Sequence, residues 1–397
     1  MGYRSGGEWW VAVRSGSMLA VAVGVGRFVF TPILPLMQSQ AGVSAQLGAT
    51  LATANYAGYL AGALAAMVAP RLGRSALAVR ISAVSVVASL ALMPLTISPA
   101  VWIVLRGIAG AGGAVMFVAA ATAVLTGVSH RSRHLVGWAY GGVGAGIALS
   151  GSVVLLVSLV GDWRIAWGAA TVLAASLSVL GWNLIRLSRA DAVENAGIAR
   201  VERPHRWFVP LVLAYFLEGV GYIIAGTFLV AAVADAVPGP VGKATWIIVG
   251  LAAVPSCVLW AWLSSRMSHP TLLTAALGLQ AAGIVLAGLG LGTVGAVIAA
   301  VLFGGTFMGV TTLALDAGRH LQVPAAVAIL SAIYAIGQAL GPVAVAPFLA
   351  GGFSTALYAA GGVVVLAAIG TILLRIRFPH TLSAIAPAPE RQPVLHR

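Results

Sequence analysis

Residues 100–127 read AVWIVLRGIAGAGGAVMFVAAATAVLTG, a run of 28 residues broken by one charge, Arg106. About 20 apolar residues in a helix cross the hydrocarbon of a bilayer, so this run is long enough to span it once. Its apolar residues are continuous rather than alternating, which points to a helix and away from a barrel strand. Eleven further apolar segments surround it, at 11–37, 46–69, 76–97, 136–160, 165–187, 207–234, 244–264, 272–292, 295–317, 324–349 and 354–375. The composition agrees: of 397 residues, 60% are hydrophobic and 8% charged, with a mean hydropathy of +1.02. A soluble protein carries roughly 25% charged residues, and a disordered chain is more polar still. The chain is therefore expected to be an all-α integral membrane protein of twelve transmembrane helices.

The net charge of +13 would suggest nucleic acid as a partner of a soluble chain. Here the distribution assigns it to topology instead. With the amino terminus inside, the outer loops hold only Arg164 and Lys243, two arginines fall within spans, and the other 18 of the 22 basic residues lie on the inner side. That asymmetry predicts an even number of spans with both termini in the cytoplasm, in a bacterial inner membrane. The inner basic residues would also touch anionic lipid. No nucleic-acid partner is expected. The single cysteine, Cys257, excludes a disulfide within the chain. No cluster of Cys and His lies in a span, so no metal and no cofactor is expected. Trp9, Trp10, Trp102, Trp163 and Trp207 stand at span ends and read as anchors at the membrane surface.

One long polar interruption, from Arg186 to Arg206, divides the segments six and six. It predicts an N-terminal six-helix unit (1–187), a cytoplasmic linker (188–206), a C-terminal six-helix unit (207–378) and a small, Pro-rich tail (379–397) that is disordered and cytoplasmic. The halves resemble each other. Gly24-Val25-Gly26-Arg27 aligns with Gly219-Val220-Gly221-Tyr222, Gly112-Gly113 with Gly304-Gly305, and Ala52-Thr53 with Ala244-Thr245, at offsets of 192 to 195. Two parallel repeats with a site between them at mid-membrane are the plan of a large class of secondary transporters. Glycines four apart, such as Gly58 and Gly62 or Gly142 and Gly146, mark faces where helices approach closely in lipid.

Several stretches resemble the major facilitator superfamily. Arg106-Gly-Ile-Ala-Gly110-Ala-Gly112 is similar to its Arg-x-x-x-Gly-x-Gly motif. The loop Ala66-Met-Val-Ala-Pro70-Arg71-Leu-Gly73-Arg74 resembles its conformational loop, with Ala66 and Pro70 where a glycine and an aspartate usually stand. Gly24-Val-Gly26-Arg27-Phe28-Val-Phe-Thr31-Pro32-Ile-Leu-Pro35, Asn55-Tyr56-Ala-Gly58-Tyr59 and Leu217-Glu218-Gly219-Val-Gly221-Tyr222 resemble the YbfB/YjiJ-like branch. The resemblance implies the major facilitator fold, two pseudo-symmetric six-helix bundles, with spans 1, 4, 7 and 10 around a central cavity. It also implies a role for Arg71, Gly73 and Arg74 in the transport cycle. The Gly-x-x-x-Gly-Pro antiporter string is absent from segment 5, where Gly142-Val-Gly144-Ala-Gly146 lacks the proline.

A charged group near the middle of a span costs at least ~2.5–3.5 kcal/mol, so it is a functional candidate by default. Glu218, eleven residues beyond Trp207, lies about 16 Å along its helix, near the midplane, and is the one carboxylate well inside a span. Arg27 and Arg106 lie at comparable depth. Glu218 is the expected proton-coupling group, with Arg27 or Arg106 beside it. The alternative is a permanent ion pair fixing spans 1 and 7. Arg27 with Thr31, Asn55 with Tyr59, Glu218 with Tyr222, and Tyr334 with Gln338 each share a helical face at i, i+4. All are candidate substrate contacts. Pro32 and Pro35 are expected to bend segment 1 near its outer end.

The function expected is therefore proton-coupled secondary transport of a small organic solute by alternating access, performed by a monomer. The alternatives are an uncoupled uniporter or channel, or a non-transporting sensor or complex subunit. The chain has no phosphate-binding loop and no kinase motif, so it is not expected to be an enzyme.

Overall fold

The computed structural model describes residues 2–128, 132, 134–184, 205–236, 240–345, 347–348, 352–376 and 378. The expected linker, apart from residues 205 and 206, and the expected tail lie outside the described residues. Among the described residues all regular structure is helical: α1 (Gly2–Leu19), α2 (Phe30–Ala41), α3 (Ala45–Val68), α4 (Ala76–Leu92), α5 (Pro99–Gly127), α6 (His134–Val157) and α7 (Trp163–Gly181) precede the linker. After it come α8 (His205–Ala236), α9 (Pro240–Leu263), α10 (His269–Gly288), α11 (Gly292–His320), α12 (Ala326–Val345) and α13 (Phe353–Leu374). Among the described residues eleven spans are long and apolar enough to cross a bilayer, one of them joining α1 and α2, and a shorter apolar helix covers Ala326–Gly341. They correspond one to one with the twelve segments of the sequence.

The outward faces of these helices are apolar. Ile81, Val104, Val172, Leu251, Ile298 and Ile369, for example, are each 46% to 67% exposed. In water such a surface would be an aggregation liability, whereas acyl chains solvate it at no cost. Two of the expected surface anchors are buried instead. Trp102 and Trp163, each 2% exposed, meet edge to face at 5.8 Å, and the Trp102 indole N–H donates to the Met93 carbonyl at 2.9 Å. A tryptophan at a span end can seal two helices as well as anchor one to headgroups, and sequence position does not separate these uses. Trp9 and Trp10 remain about half exposed at 48% and 49%.

Close approach on α5 sets where its charge can point. A methyl group on Gly58 or Gly62 of α3 would overlap the carbonyls of Gly107 and Ala111, so the absence of side chains is what lets the two backbones meet. In the second set of helices α8 packs on α12 and α13, and α10 packs on α11 and α13. Helices from before and after the linker meet where α6 runs along α9 and α3 lies on α12.

The first crossing is not one helix. After α1 the chain makes a wide π-helical turn over Ala20–Val25, then a tight turn through residues 26–29, before α2 begins at Phe30. The break lies deeper than the two prolines, and Pro32 bears on its outer edge. Proline has no N–H to give, and its ring crowds the carbonyl four residues back, here Phe28. In the first turn of α2 the Thr31 N–H turns to the Phe28 carbonyl at 3.2 Å, three residues back rather than four. The Arg27 carbonyl is thereby left without its helical donor.

Candidate functional site

Arg106 meets the carbonyls freed by that break. Its Nη1 donates to the Gly26 carbonyl and its Nη2 to the Arg27 carbonyl, both at 3.1 Å. The guanidinium is 2% exposed and lies 4.8 Å from the Phe30 ring centre. A buried carbonyl without a donor is costly in lipid, and a two-pronged cation satisfies two at once. Neither an outward-snorkelling arginine nor a cavity ligand describes this placement. Asn55 acts in the same scaffold, its Nδ2 donating to the Arg106 carbonyl at 3.0 Å and tying α3 to α5. Thr31 sits half-buried in the first turn of α2 and does not line the central cavity.

Arg27 points the other way. It is 5% exposed, and its guanidinium carbon lies 4.6 Å from the Tyr56 ring centre, 5.2 Å from Tyr59 and 5.3 Å from Phe28. Its Nη2 donates to the side-chain oxygen of Gln338 on α12, a bond between the first and second sets of helices. Among the described residues no carboxylate lies within ion-pair reach of Arg27.

Arg27 also borders a small central cavity. Val23, Tyr59 and Phe117 line it from the first half, and Tyr215, Tyr222, Phe307, Met308, Thr311, Ser331 and Tyr334 from the second. The second-half rings stack: Tyr215 on Tyr334 at 4.5 Å and Tyr222 on Phe307 at 5.5 Å. The Ser331 hydroxyl is buried without a hydrogen-bond partner. The space open to the centre of a water molecule is about 20 Å³, enough for roughly one or two ordered waters. Of the expected substrate contacts, Arg27, Tyr59, Tyr222 and Tyr334 share this cavity, while Asn55 and Gln338 stand behind it as partners of α5 and of Arg27.

Glu218 is fully buried on the far side of Tyr334. Its Oε1 accepts from Gln280 Nε2 of α10 at 3.1 Å, and the Tyr334 hydroxyl stands next to the same carboxylate. The other oxygen, Oε2, has no donor. The three intramembrane charges therefore do not form one ion-paired group: Arg106 serves the backbone, Arg27 the cavity, and Glu218 a separate amide–phenol cluster. Among the described residues no ion pair joins spans 1 and 7.

At the end of the molecule that carries the basic loops lies a wider vestibule of about 680 Å³. Arg74, Arg319, His269 and His320 line it with one acid, Asp316. Asp316 Oδ2 is 2.9 Å from His269 Nε2, and its Oδ1 is 3.7 Å from Arg319 Nη2. Ala66, Val118 and Ala328 also line it, packed together as a thin apolar floor. Of the expected conformational loop, Gly73 is buried against Val118 and Ala119, while Arg71 and Arg74 are exposed.

Sequence reasoning missed Phe117, Tyr215, Phe307, Ser331 and Gln280. The aromatic residues carry no signal within an apolar run. Gln280 does: it is the one strongly polar side chain in segment 272–292, and a polar group there needs an internal partner.

A search of curated proteins gives no match. The family described as the uncharacterised MFS-type transporter YbfB matches residues 19–372, which takes in all the residues just placed around the cavity. The chain is a multi-pass membrane protein that belongs to this YbfB family of MFS-type transporters.

Proposed function

We propose that the chain is a secondary active transporter of a small organic solute, in which two six-helix halves rock about the central cavity. In this reading residues 1–187 and 207–378 are the halves, both termini face the cytoplasm of a bacterial cell, and the vestibule is the inner entrance. The observation that carries it is the composition of the cavity wall: residues from both halves enclose it, and Arg27 bridges them through Gln338. A site shared in this way changes exposure when the halves tilt, which is what alternating access requires. Arg71, Gly73 and Arg74 form the turn at the vestibule rim and move with α3.

Glu218 is the proton site of this reading. A carboxylate with one oxygen on an amide and the other unpartnered can hold a proton without breaking its existing bond. Tyr334 stands between it and the cavity, so a solute that shifts the phenol changes the surroundings of the acid. The chain reconstituted in liposomes with an internal pH dye, and challenged with a library of small organic solutes, tests this. Expected are solute-dependent proton fluxes for the wild type, and for Glu218→Gln solute exchange without proton flux. Proton flux undiminished in Glu218→Gln removes the coupling role. Solute movement without any proton flux in the wild type supports a uniporter.

A further inference from the structure

The central cavity is unusual in its charge balance. Among the described residues its only ionised wall residue is Arg27, and the partner that Arg27 has there, Gln338, is neutral. A guanidinium in low dielectric without a counter-charge is costly, and the cost falls when an anion arrives. Glu218 does not serve, because it sits behind Tyr334 on its own amide. Six of the other wall residues are aromatic, beside Val23, Met308 and Thr311, and one unpartnered hydroxyl, Ser331, is 2% exposed. The approach has the same sign: the vestibule carries Arg74 and Arg319 against one aspartate, and a basic mouth concentrates anions.

We infer that the transported solute is a small planar aromatic monoanion, of the arylcarboxylate type, whose carboxylate displaces Gln338 from Arg27 and whose ring packs against the Tyr222–Phe307 and Tyr215–Tyr334 stacks. This rests on the transport reading above and names its cargo. A cation has no acid to meet on this wall, and a zwitterion would leave its ammonium unpaired among rings. An aliphatic anion would satisfy Arg27 but would forgo stacking on the rings. The water-sized space now present means that the rings part to admit the solute. In doing so the anion breaks the Arg27–Gln338 link between the halves, so loading and release of that link are one event.

Proton coupling then has a charge logic. With Glu218 protonated, Arg27 is the one formal charge on the cavity wall, Arg106 being held behind it on the Gly26 and Arg27 carbonyls, and the anion meets Arg27. With Glu218 ionised, the anion brings a second negative charge to the region and binds less well. Linkage makes the effect reciprocal, so a bound anion favours the protonated acid. The pair moves as one proton and one anion.

Equilibrium binding to the full chain in lipid nanodiscs tests this with three probes: benzoate, cyclohexanecarboxylate (same charge, no π-face) and benzylamine (same ring, opposite charge). Benzoate is expected to bind about tenfold tighter than either, the factor that ~1.4 kcal/mol provides. Its affinity is expected to fall as pH rises in the wild type and to be independent of pH in Glu218→Gln. Arg27→Gln is expected to weaken benzoate by roughly tenfold or more, the worth of one charge-assisted bond, with Arg27→Lys intermediate. Phe307→Leu serves as the second variant, because it keeps the charge and should erase the preference for benzoate over cyclohexanecarboxylate. Equal binding of the two carboxylates overturns the aromatic class, tighter benzylamine overturns the anion, and no binding of any probe to monodisperse protein overturns both. None of these outcomes touches the transport reading, which stands or falls on solute-driven proton flux. Benzoate binding without any proton flux would sink that reading alone.

Discussion

The first and seventh crossings share matching sequence and have become different machines. Gly24-Val25-Gly26-Arg27 and Gly219-Val220-Gly221-Tyr222 keep the same glycines, and both pack tightly: a methyl on Gly24 would lie 2.6 Å from Gly146, and one on Gly219 would lie 2.7 Å from the Tyr334 carbonyl. Beyond the glycines they part. The first crossing carries Pro32 and breaks into α1 and α2, whereas α8 runs unbroken for 32 residues. The first supplies a cation to the cavity through Arg27. The seventh supplies a tyrosine at that register, and an acid four residues earlier that faces away from the cavity, towards α10. The broken helix needs outside donors for its carbonyls and the intact one does not. A duplicated scaffold can thus hold opposite charges at one depth without pairing them, provided that each has its own support.

The strongest way to break this comparison is to remove the support that only the first crossing needs. Arg106→Ala leaves the Gly26 and Arg27 carbonyls without donors in a site that water cannot reach. The expected loss is about 3–5 kcal/mol, typical of stripping one member from a buried charged arrangement, read as a large fall in thermal midpoint or a loss of monodisperse protein in mild detergent. Arg106→Lys keeps the charge but not the fork, and should recover only part of it. Full stability in Arg106→Ala would mean that the break is not held by this residue.

The support of the seventh crossing is smaller, and so is the predicted effect. Gln280→Leu takes away the one amide that donates to Glu218. It should cost about 1 kcal/mol, in line with interhelical hydrogen bonds measured in membrane proteins, by the same thermal measurement. If Gln280→Leu proves as damaging as Arg106→Ala, the two charges are supported to the same degree and the asymmetry between the crossings disappears.

Much of this difference is legible in the amino-acid order alone, and the unread part has a common cause. Long apolar runs, the polar interruption after Arg186 and the asymmetry of basic residues mark the crossings, because each follows from the solvent rather than from a neighbour. Depth and helical spacing find Arg27, Tyr59, Tyr222 and Tyr334, and the cavity gathers all four. The same logic finds Arg106, which has another use, since nothing in the run around it tells that the helix opposite is broken at residues 26–29. Phe117 and Phe307 cannot be told from lipid-facing residues, because in lipid a phenylalanine on any face satisfies the hydrophobic pattern. Where Trp102 and Trp163 meet each other, the rule for span ends names the wrong neighbour.

The smallest effect tests the comparison from the neighbouring helices. Gly112-Gly113 on α5 and Gly304-Gly305 on α11 are matched positions, yet only the first pair is wholly packed. A methyl on Gly113 would come 2.9 Å from the Ala22 carbonyl, in the wide turn of the first crossing. A methyl on Gly305 would meet nothing within 4 Å. The opened helix fills the space beside Gly113, while the space beside Gly305 stays open. Gly113→Ala should therefore cost about 1–3 kcal/mol, the usual penalty of overpacking a backbone contact. Gly305→Ala should stay within about 0.5 kcal/mol of the parent, as substitutions away from packed features do. Equal losses at the two positions would show that α8 moves against α11 as closely as the first crossing moves against α5, and the two crossings would then differ in charge alone.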